Sequence, residues 1–234
     1  MADGGLFSSI SSPIVGAVCG WLGGGVSGFL SSRYERKQKN SIYSEPLVHA
    51  AFDLQSRIFN IFEQGFTKKY YLNGDDRSKE YYVENTSFLV AQLLCWFEIT
   101  RQELFFIELN KKQHTQKLIH LQDKIHTTWG TDKAEYCDTL RIFAGEQRAI
   151  GENLVFQKKE RSMCMGYAQF MESFPQGKNE QIDILRSEVV SLAYNIETAR
   201  KRMINIQNYL IDILDLLDPE CIRFPADSRK KINI

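Results

Sequence analysis

From Ile182 to Leu217 apolar residues return in steps of three and four without a gap: Ile182, Leu185, Val189, Leu192, Ile196, Ala199, Met203, Ile206, Leu210, Ile213 and Leu217. A helix gathers such positions on one face, because its 3.6-residue turn sets i, i+3, i+4 and i+7 side by side. The pattern covers five heptads and predicts one long C-terminal helix whose stripe must be buried against other helices. With Ile182 at position a, the e positions hold Arg186, Ala193, Arg200, Gln207 and Leu214, and the g positions hold Glu188, Asn195, Arg202, Tyr209 and Leu216. Opposite charges do not pair across this set, and Val190, Ile204, Ile211 and Leu214 widen the stripe beyond a two-strand coiled-coil seam. An intramolecular bundle is the favoured reading over an intermolecular coiled coil.

The chain upstream gives that helix its partners. Past residue 44 the only prolines are Pro46, Pro175, Pro219 and Pro225, and no alternating β-branched run is bounded by turns, so the expected fold class is all-α. A first helix starts at Ser44 or Glu45 and carries Leu47, Ala51, Leu54, Ile58, Phe62 and Phe66 on one face, ending near Gly65. A second, from Ser78 to Leu109, contains the 12 uncharged residues Thr86 to Phe97, closed by Glu98, Arg101 and Glu103. About 20 apolar residues are needed to cross hydrocarbon, so this run reads as a buried central helix. A polar, exposed helix is expected from Lys112 to His126 and another from Glu135 to Gln157, with a short one from Met163 to Phe174. Gly145 and Gly151 lie inside the 135–157 segment at about 1 kcal/mol each against alanine, which points to close backbone packing there. The last residues, SRKKINI with Arg229, Lys230 and Lys231, read as a solvated basic tail.

The N-terminus has a different character. Asp3 and Arg33 bracket 29 uncharged positions, long enough to span a bilayer but diluted by Gly, Ser and Pro13. Within them Ser8, Ser12, Gly16, Gly20, Gly24, Gly28 and Ser32 follow one another at i+4. Small residues at that spacing let two helix backbones approach closely, so Ser12, Gly16, Gly20, Gly24 and Gly28 are the expected self-association face of a membrane helix. Arg33, Arg36, Lys37 and Lys39 follow at once, whereas the other flank carries only Asp3. The positive-inside rule then puts the N-terminus outside and the remainder in the cytoplasm. The expected organisation is a glycine-zipper transmembrane anchor at 1–32, a basic juxtamembrane linker at 33–43, a helical bundle at 44–218 and a basic C-terminal tail at 219–234.

Lysine plus arginine equal aspartate plus glutamate at 29 each, so no overall field recruits nucleic acid. Phosphate loops, dinucleotide fingerprints, nucleophile elbows and HExxH are absent from the sequence. Cys19, Cys95, Cys137, Cys164 and Cys221 are scattered without a CxxC pair and read as reduced, mostly buried thiols in a reducing compartment. The four histidines, His49, His114, His120 and His126, offer no ligand spacing beyond Asp123 with His126, so neither a metal nor another cofactor is expected. The polar residues worth notice sit inside apolar stretches: Glu98 and Arg101 on the central helix, Gln147, Arg148 and Glu152 on the glycine-containing one. If those helices pack together, the five form a polar core network, since buried charges need partners.

The expected function is that of a single-pass membrane-anchored helical protein acting as a binding, scaffolding or oligomerising module. Its expected partners are membrane lipid, further copies of the chain through the N-terminal helix, and a protein on the bundle. Two alternatives share the same residues. One is a pore-forming effector assembled through the glycine-rich helix; the other is a membrane-tethered enzyme using the Glu/Arg group as a polar pocket.

Overall fold

The computed structural model describes residues 42–103, 112–159 and 161–233. The small-residue row from Ser12 to Gly28 and the basic flank of Arg33, Arg36, Lys37 and Lys39 lie outside the described residues. Helix α1 runs over residues 42–63 and is followed by Gly65, whose φ of 63° falls in the left-handed region that ends helices. A π-helical turn, Lys68–Leu72, leads into α2, Asp76–Glu103. Then come α3, Lys112–Gly130, and α4, Ala144–Asn153. A hairpin follows with β1, Val155–Lys158, antiparallel to β2, Arg161–Cys164. The chain closes with α5, Tyr167–Ser173, α6, Glu180–Tyr194, and α7, Ile196–Leu217.

Helix α2 is the centre of the molecule. The π-helical turn, α4, β2, α5 and α6 all pack on it, and Ser87, Val90, Ala91, Leu93, Leu94, Cys95 and Ile99 are wholly buried. The uncharged run from Thr86 to Phe97 is therefore a core helix. Among the described residues no helix is long and apolar enough to cross a membrane.

The long C-terminal helix is two helices. Asn195, at φ −127° and ψ 40°, ends α6 and starts α7. Its side-chain amide donates to Ser191 O at 2.9 Å, while its own carbonyl accepts from Ala199 N and from the Thr198 hydroxyl. Asparagine competes well for such local backbone bonds, which is why the break falls here. The apolar spacing runs straight through because both helices face one core. The e and g positions are drawn inward as well: Arg186, Arg202 and Gln207 are buried.

Residues 131–143 are not helical, contrary to the 135–157 expectation, because tertiary partners take their backbone groups. The Arg202 guanidinium donates to the carbonyls of Thr128, Trp129 (2.8 Å), Thr131 (3.2 Å) and Cys137 (2.7 Å), so it caps the carbonyl end of α3 and holds the loop beyond. That end carries the negative pole of the helix dipole, which suits a buried cation. Ile142 N donates to Trp129 O, and Leu140 takes a left-handed φ of 53° with its side chain fully buried. The Glu146 carboxylate then accepts from Phe143 N at 2.8 Å and sets the start of α4.

The same segment ends early, in a hairpin whose two-residue connection has Lys159 at φ 49°. No Asn-Gly or Asp-Gly marks this turn, the usual sequence signal for it. Helix α3 also differs from expectation. It buries Leu118, Leu121, Gln122, Ile125, Thr128 and Trp129 and packs along α7, so only its remaining faces are solvated.

The tail is anchored to the bundle, with Arg229 buried, while most of its residues, Lys230 and Lys231 among them, are exposed. It folds back over α1 and α7: Phe224 stacks on Phe52 with centroids 3.7 Å apart, Gln207 donates to Lys230 O, Gln55 donates to Ser228 O, and Ile232 is buried. Its turn is organised by Asp218, whose buried carboxylate accepts from Ile222 N, Arg223 N and Phe224 N and pairs with the buried Arg229. Burial acts to raise the Asp218 pKa, but the three backbone donors and Arg229 outweigh it and hold the carboxyl below its ordinary range. A depressed folded-state pKa contributes stability above the unfolded value of about 3.9, and that stability is lost as pH falls through the folded value. Urea midpoints of the wild type are expected to drop steeply below about pH 5, and Asp218→Asn to flatten that drop; equal slopes in both would remove Asp218 from the account.

Candidate functional site

Glu98, Arg101, Gln147, Arg148 and Glu152 are placed by the crossing of α2 and α4. The crossing is close because Gly151 has no side chain: a Cβ there would stand 2.7 Å from Leu94 O and 3.1 Å from Glu98 Cγ. Gly145 meets nothing within 4 Å, so only one of the two glycines serves packing. Glu98 lies one turn beyond Leu94 with its side chain 5% exposed. Arg101 Nε and an Arg101 terminal nitrogen donate to Glu98 Oε2 at 2.9 and 2.5 Å, and Arg148 Nε stands 3.9 Å from Oε1. The two guanidinium groups are more than half exposed, at 52% and 60%, so the cluster runs from core to solvent. The Glu98 hydrogen bond raises the Arg101 pKa, and the exposed Glu152 adds its field to the same guanidinium.

Gln147 does not join this group. It points to α3, with Nε2 donating to Ile142 O at 2.7 Å and His126 O at 3.1 Å, and Oε1 sitting 2.6 Å from His126 Nδ1. The amide thereby ties the end of α3 and the 131–143 loop to α4. Of the five residues, three form one ion-paired cluster, a fourth sits at its rim and the fifth is a separate fastener. Both Glu98 oxygens face guanidinium groups, which makes the cluster an electrostatic clasp across a helix crossing.

A second arrangement was not legible from residue spacing. A cleft of about 700 Å³ lies between the first half of α2, with Lys79, Val83 and Glu84, and α6, with Asp183, Arg186 and Val190. Tyr71 and the Gln176–Gly177 turn also line it. Its floor is the buried Arg186. That side chain donates to Glu84 Oε2 at 3.0 and 2.8 Å, to Asp183 Oδ1 at 2.9 Å and to Phe174 O at 2.6 Å, and its guanidinium stands over the Phe170 ring. Gly177, at φ 82°, donates its N–H to Asp183 Oδ2 and shapes the mouth. At the rim, the Tyr71 ring meets Tyr194 edge-on at 5.6 Å, and Tyr194 is 67% exposed. The volume is that of an ordinary ligand pocket, with aromatic and charged groups side by side. Glu84 and Arg186 are 102 positions apart, and Arg186 reads in sequence as a heptad flank, so no local signal pairs them.

Beside the cleft, Arg57 of α1 is buried among neutral acceptors: Thr86 Oγ1, Asn85 Oδ1 and the Tyr81 hydroxyl, with its charge over the Phe66 ring at 4.2 Å. Burial lowers its pKa, and the Tyr81 phenol partly offsets that.

A comparison with protein-family models, with curated proteins and with solved structures finds no match to the chain in any of the three.

The two glycines separate packing from propensity. Gly151→Ala is expected to destabilise the protein by roughly 1–3 kcal/mol, since Leu94 backbone cannot yield cheaply. Gly145→Ala is expected to be neutral or to stabilise by about 0.4–1 kcal/mol. Urea unfolding of both variants beside the wild type measures this, and equal losses would contradict it.

Proposed function

We infer that the chain is a membrane-anchored helical binding module: residues 1–32 tether and self-associate, and the bundle offers its α2–α6 cleft to a partner. The observation that carries the binding role is that cleft, of about 700 Å³, with exposed Tyr194 against Tyr71 at its rim and a floor held rigid by the Glu84–Arg186–Asp183 pairings. Preorganised walls with an apolar rim favour binding, because little ordering entropy remains to be lost on association. A catalytic use of the Glu98 cluster has less support, since its carboxylate oxygens are engaged by Arg101 and Arg148. The membrane role rests on the 29 uncharged residues, the i+4 row of small residues and the basic flank that follows.

Fractionation and detergent-solubilised mass test the proposal together. Full-length protein should pellet with membranes and be released by detergent as an oligomer, and a Gly20→Leu, Gly24→Leu double variant should run as a monomer. Recovery of the full-length wild type in the soluble fraction without detergent would sink the anchor. An unchanged mass for the variant would reduce the glycine row to sequence bias. Liposome dye release separates a tether, which leaks nothing, from a pore.

A further inference from the structure

Residues 228–232 of the tail are held on α1 and α7 in the way a groove holds an extended peptide. Side-chain amides read their main chain. Gln55 Nε2 of α1 donates to Ser228 O at 3.1 Å, Gln207 Nε2 of α7 to Lys230 O at 2.8 Å, and Asn208 Nδ2 to Ile232 O at 3.2 Å, while Gln207 Oε1 accepts from Ile232 N at 3.3 Å. Gln55 and Gln207 are themselves buried. The three carbonyls they and Asn208 take are two residues apart, which is the repeat of an extended strand. Two tail side chains are seated as well: Arg229 is buried against Asp218 and Asp215, and Ile232 is 5% exposed. At the surface Lys231 Nζ stands 2.6 Å from Asp212 Oδ1.

The seat is a satellite of the core. Ile204, Ile211 and Ile232 are buried but stand outside the main apolar cluster, so the tail can leave its groove without opening that cluster. The turn that leads from α7 into the tail is held under strain. Pro219 follows the end of α7, and Cys221 takes a φ of 52°, in the left-handed region that a residue with a side chain adopts at a cost. We propose that the α1–α7 groove is a docking site for an extended Arg-x-Lys-Ile segment, and that copies of this chain exchange tails through it, residues 222–233 of one copy lying in the groove of a neighbour. The second copy is the occupant because its tail is the segment whose fit the structure shows. Every contact given up within one chain is regained in the other, and the strained turn at Pro219–Cys221 is what opens. The main-chain bonds supply affinity for any extended segment; the Arg229 seat and the Ile232 pocket supply the selection. This surface is separate from the α2–α6 cleft, and the anchor reading of residues 1–32 enters only in that self-associating anchors hold copies near one another.

Two full-length variants, Asp212→Asn and Lys231→Gln, are co-expressed, purified together in detergent and treated with a carbodiimide, which joins a carboxylate to a touching amine with loss of water. Neither chain can form the 212–231 link within itself. The Lys231→Gln chain supplies Asp212 and the Asp212→Asn chain supplies Lys231, so the link forms only between copies. Trypsin, cutting after Arg202, Arg223 and Lys230, should release peptides 203–223 and 231–234 joined and one water lighter than the separate pair. Adding Ile232→Asp to the chain that supplies Lys231 should lower the yield at least roughly tenfold, since a buried aliphatic anchor is worth more than one decade of affinity. A wild type that forms the link while the co-expressed pair does not would overturn the exchange, and a wild type without the link would overturn the seating of the tail. A yield insensitive to Ile232→Asp would overturn the groove as what holds the two copies. Detergent-solubilised mass, read on the same samples with and without Gly20→Leu, Gly24→Leu, separates this proposal from the anchor: an intact oligomer lacking the link sinks the tail exchange alone, and a link that persists when those substitutions are present shows that the exchange stands without the anchor.

Discussion

A helix buried along most of its length needs partners for its polar groups, and α2 places that demand on its neighbours, which meet most of it while leaving Ser87 Oγ and Gln92 Oε1 without a hydrogen bond. Its apolar residues supply the centre of the core, but Thr86, Ser87, Glu98 and Thr100 are buried with them. Each surrounding element answers at a different point. Arg57 of α1 reaches Thr86, Gln122 of α3 donates to the Thr100 hydroxyl, Arg148 of α4 faces Glu98, and Arg186 of α6 takes Glu84. An unmet polar group in this setting costs about 1–3 kcal/mol or more, so these bonds select one arrangement of helices from the many an apolar core alone would accept.

Arginine is the side chain that recurs in these contacts. Arg57, Arg186, Arg202 and Arg229 are all at least nine-tenths buried, and each spreads its planar donors over several acceptors. Arg202 uses only carbonyls, and Arg57 uses hydroxyls and an amide, whereas Arg186 and Arg229 pair with carboxylates. A lysine offers one charged point and cannot bridge this way. The guanidinium groups act as junctions: Arg202 joins α7 to the end of α3 and its loop, and Arg229 joins the tail to the end of α7.

These junctions bear on function through what they leave free. Because Arg186 is saturated by Glu84, Asp183 and Phe174, it forms a fixed floor for the α2–α6 cleft and not a mobile binding group. On the proposed binding role, recognition there would fall to Lys79, Glu80, Tyr71 and the two valines around it, with Tyr194 beside Tyr71. Another contact of α2 is the one where the hairpin rests. One central helix therefore supports both the proposed recognition surface and the hairpin.

Much of the architecture is local and therefore written in sequence. Helical class follows from 3.6-residue periodicity. The buried character of residues 86–97 follows from an uncharged run too short to span a membrane, and the end of α1 follows from Gly65, whereas α1 is already helical at residue 42, ahead of the start that Pro46 suggests. The pairing of Glu98 with Arg101 is equally local, being one helical turn. What sequence left undecided depends on contacts between distant residues. The break at Asn195 is invisible because the apolar spacing survives it. The loss of helix at 131–143 follows from Arg202, some 60 to 70 positions away, taking the backbone carbonyls. The anchoring of the mostly exposed tail is hidden until Asp218 and Gln207 are seen to organise it. The Glu84–Arg186 floor arises only when α6 lands on α2. Sequence determined which faces had to be buried, since that is set by spacing along one helix; tertiary structure decided which polar groups meet, since that is set by where separate elements cross.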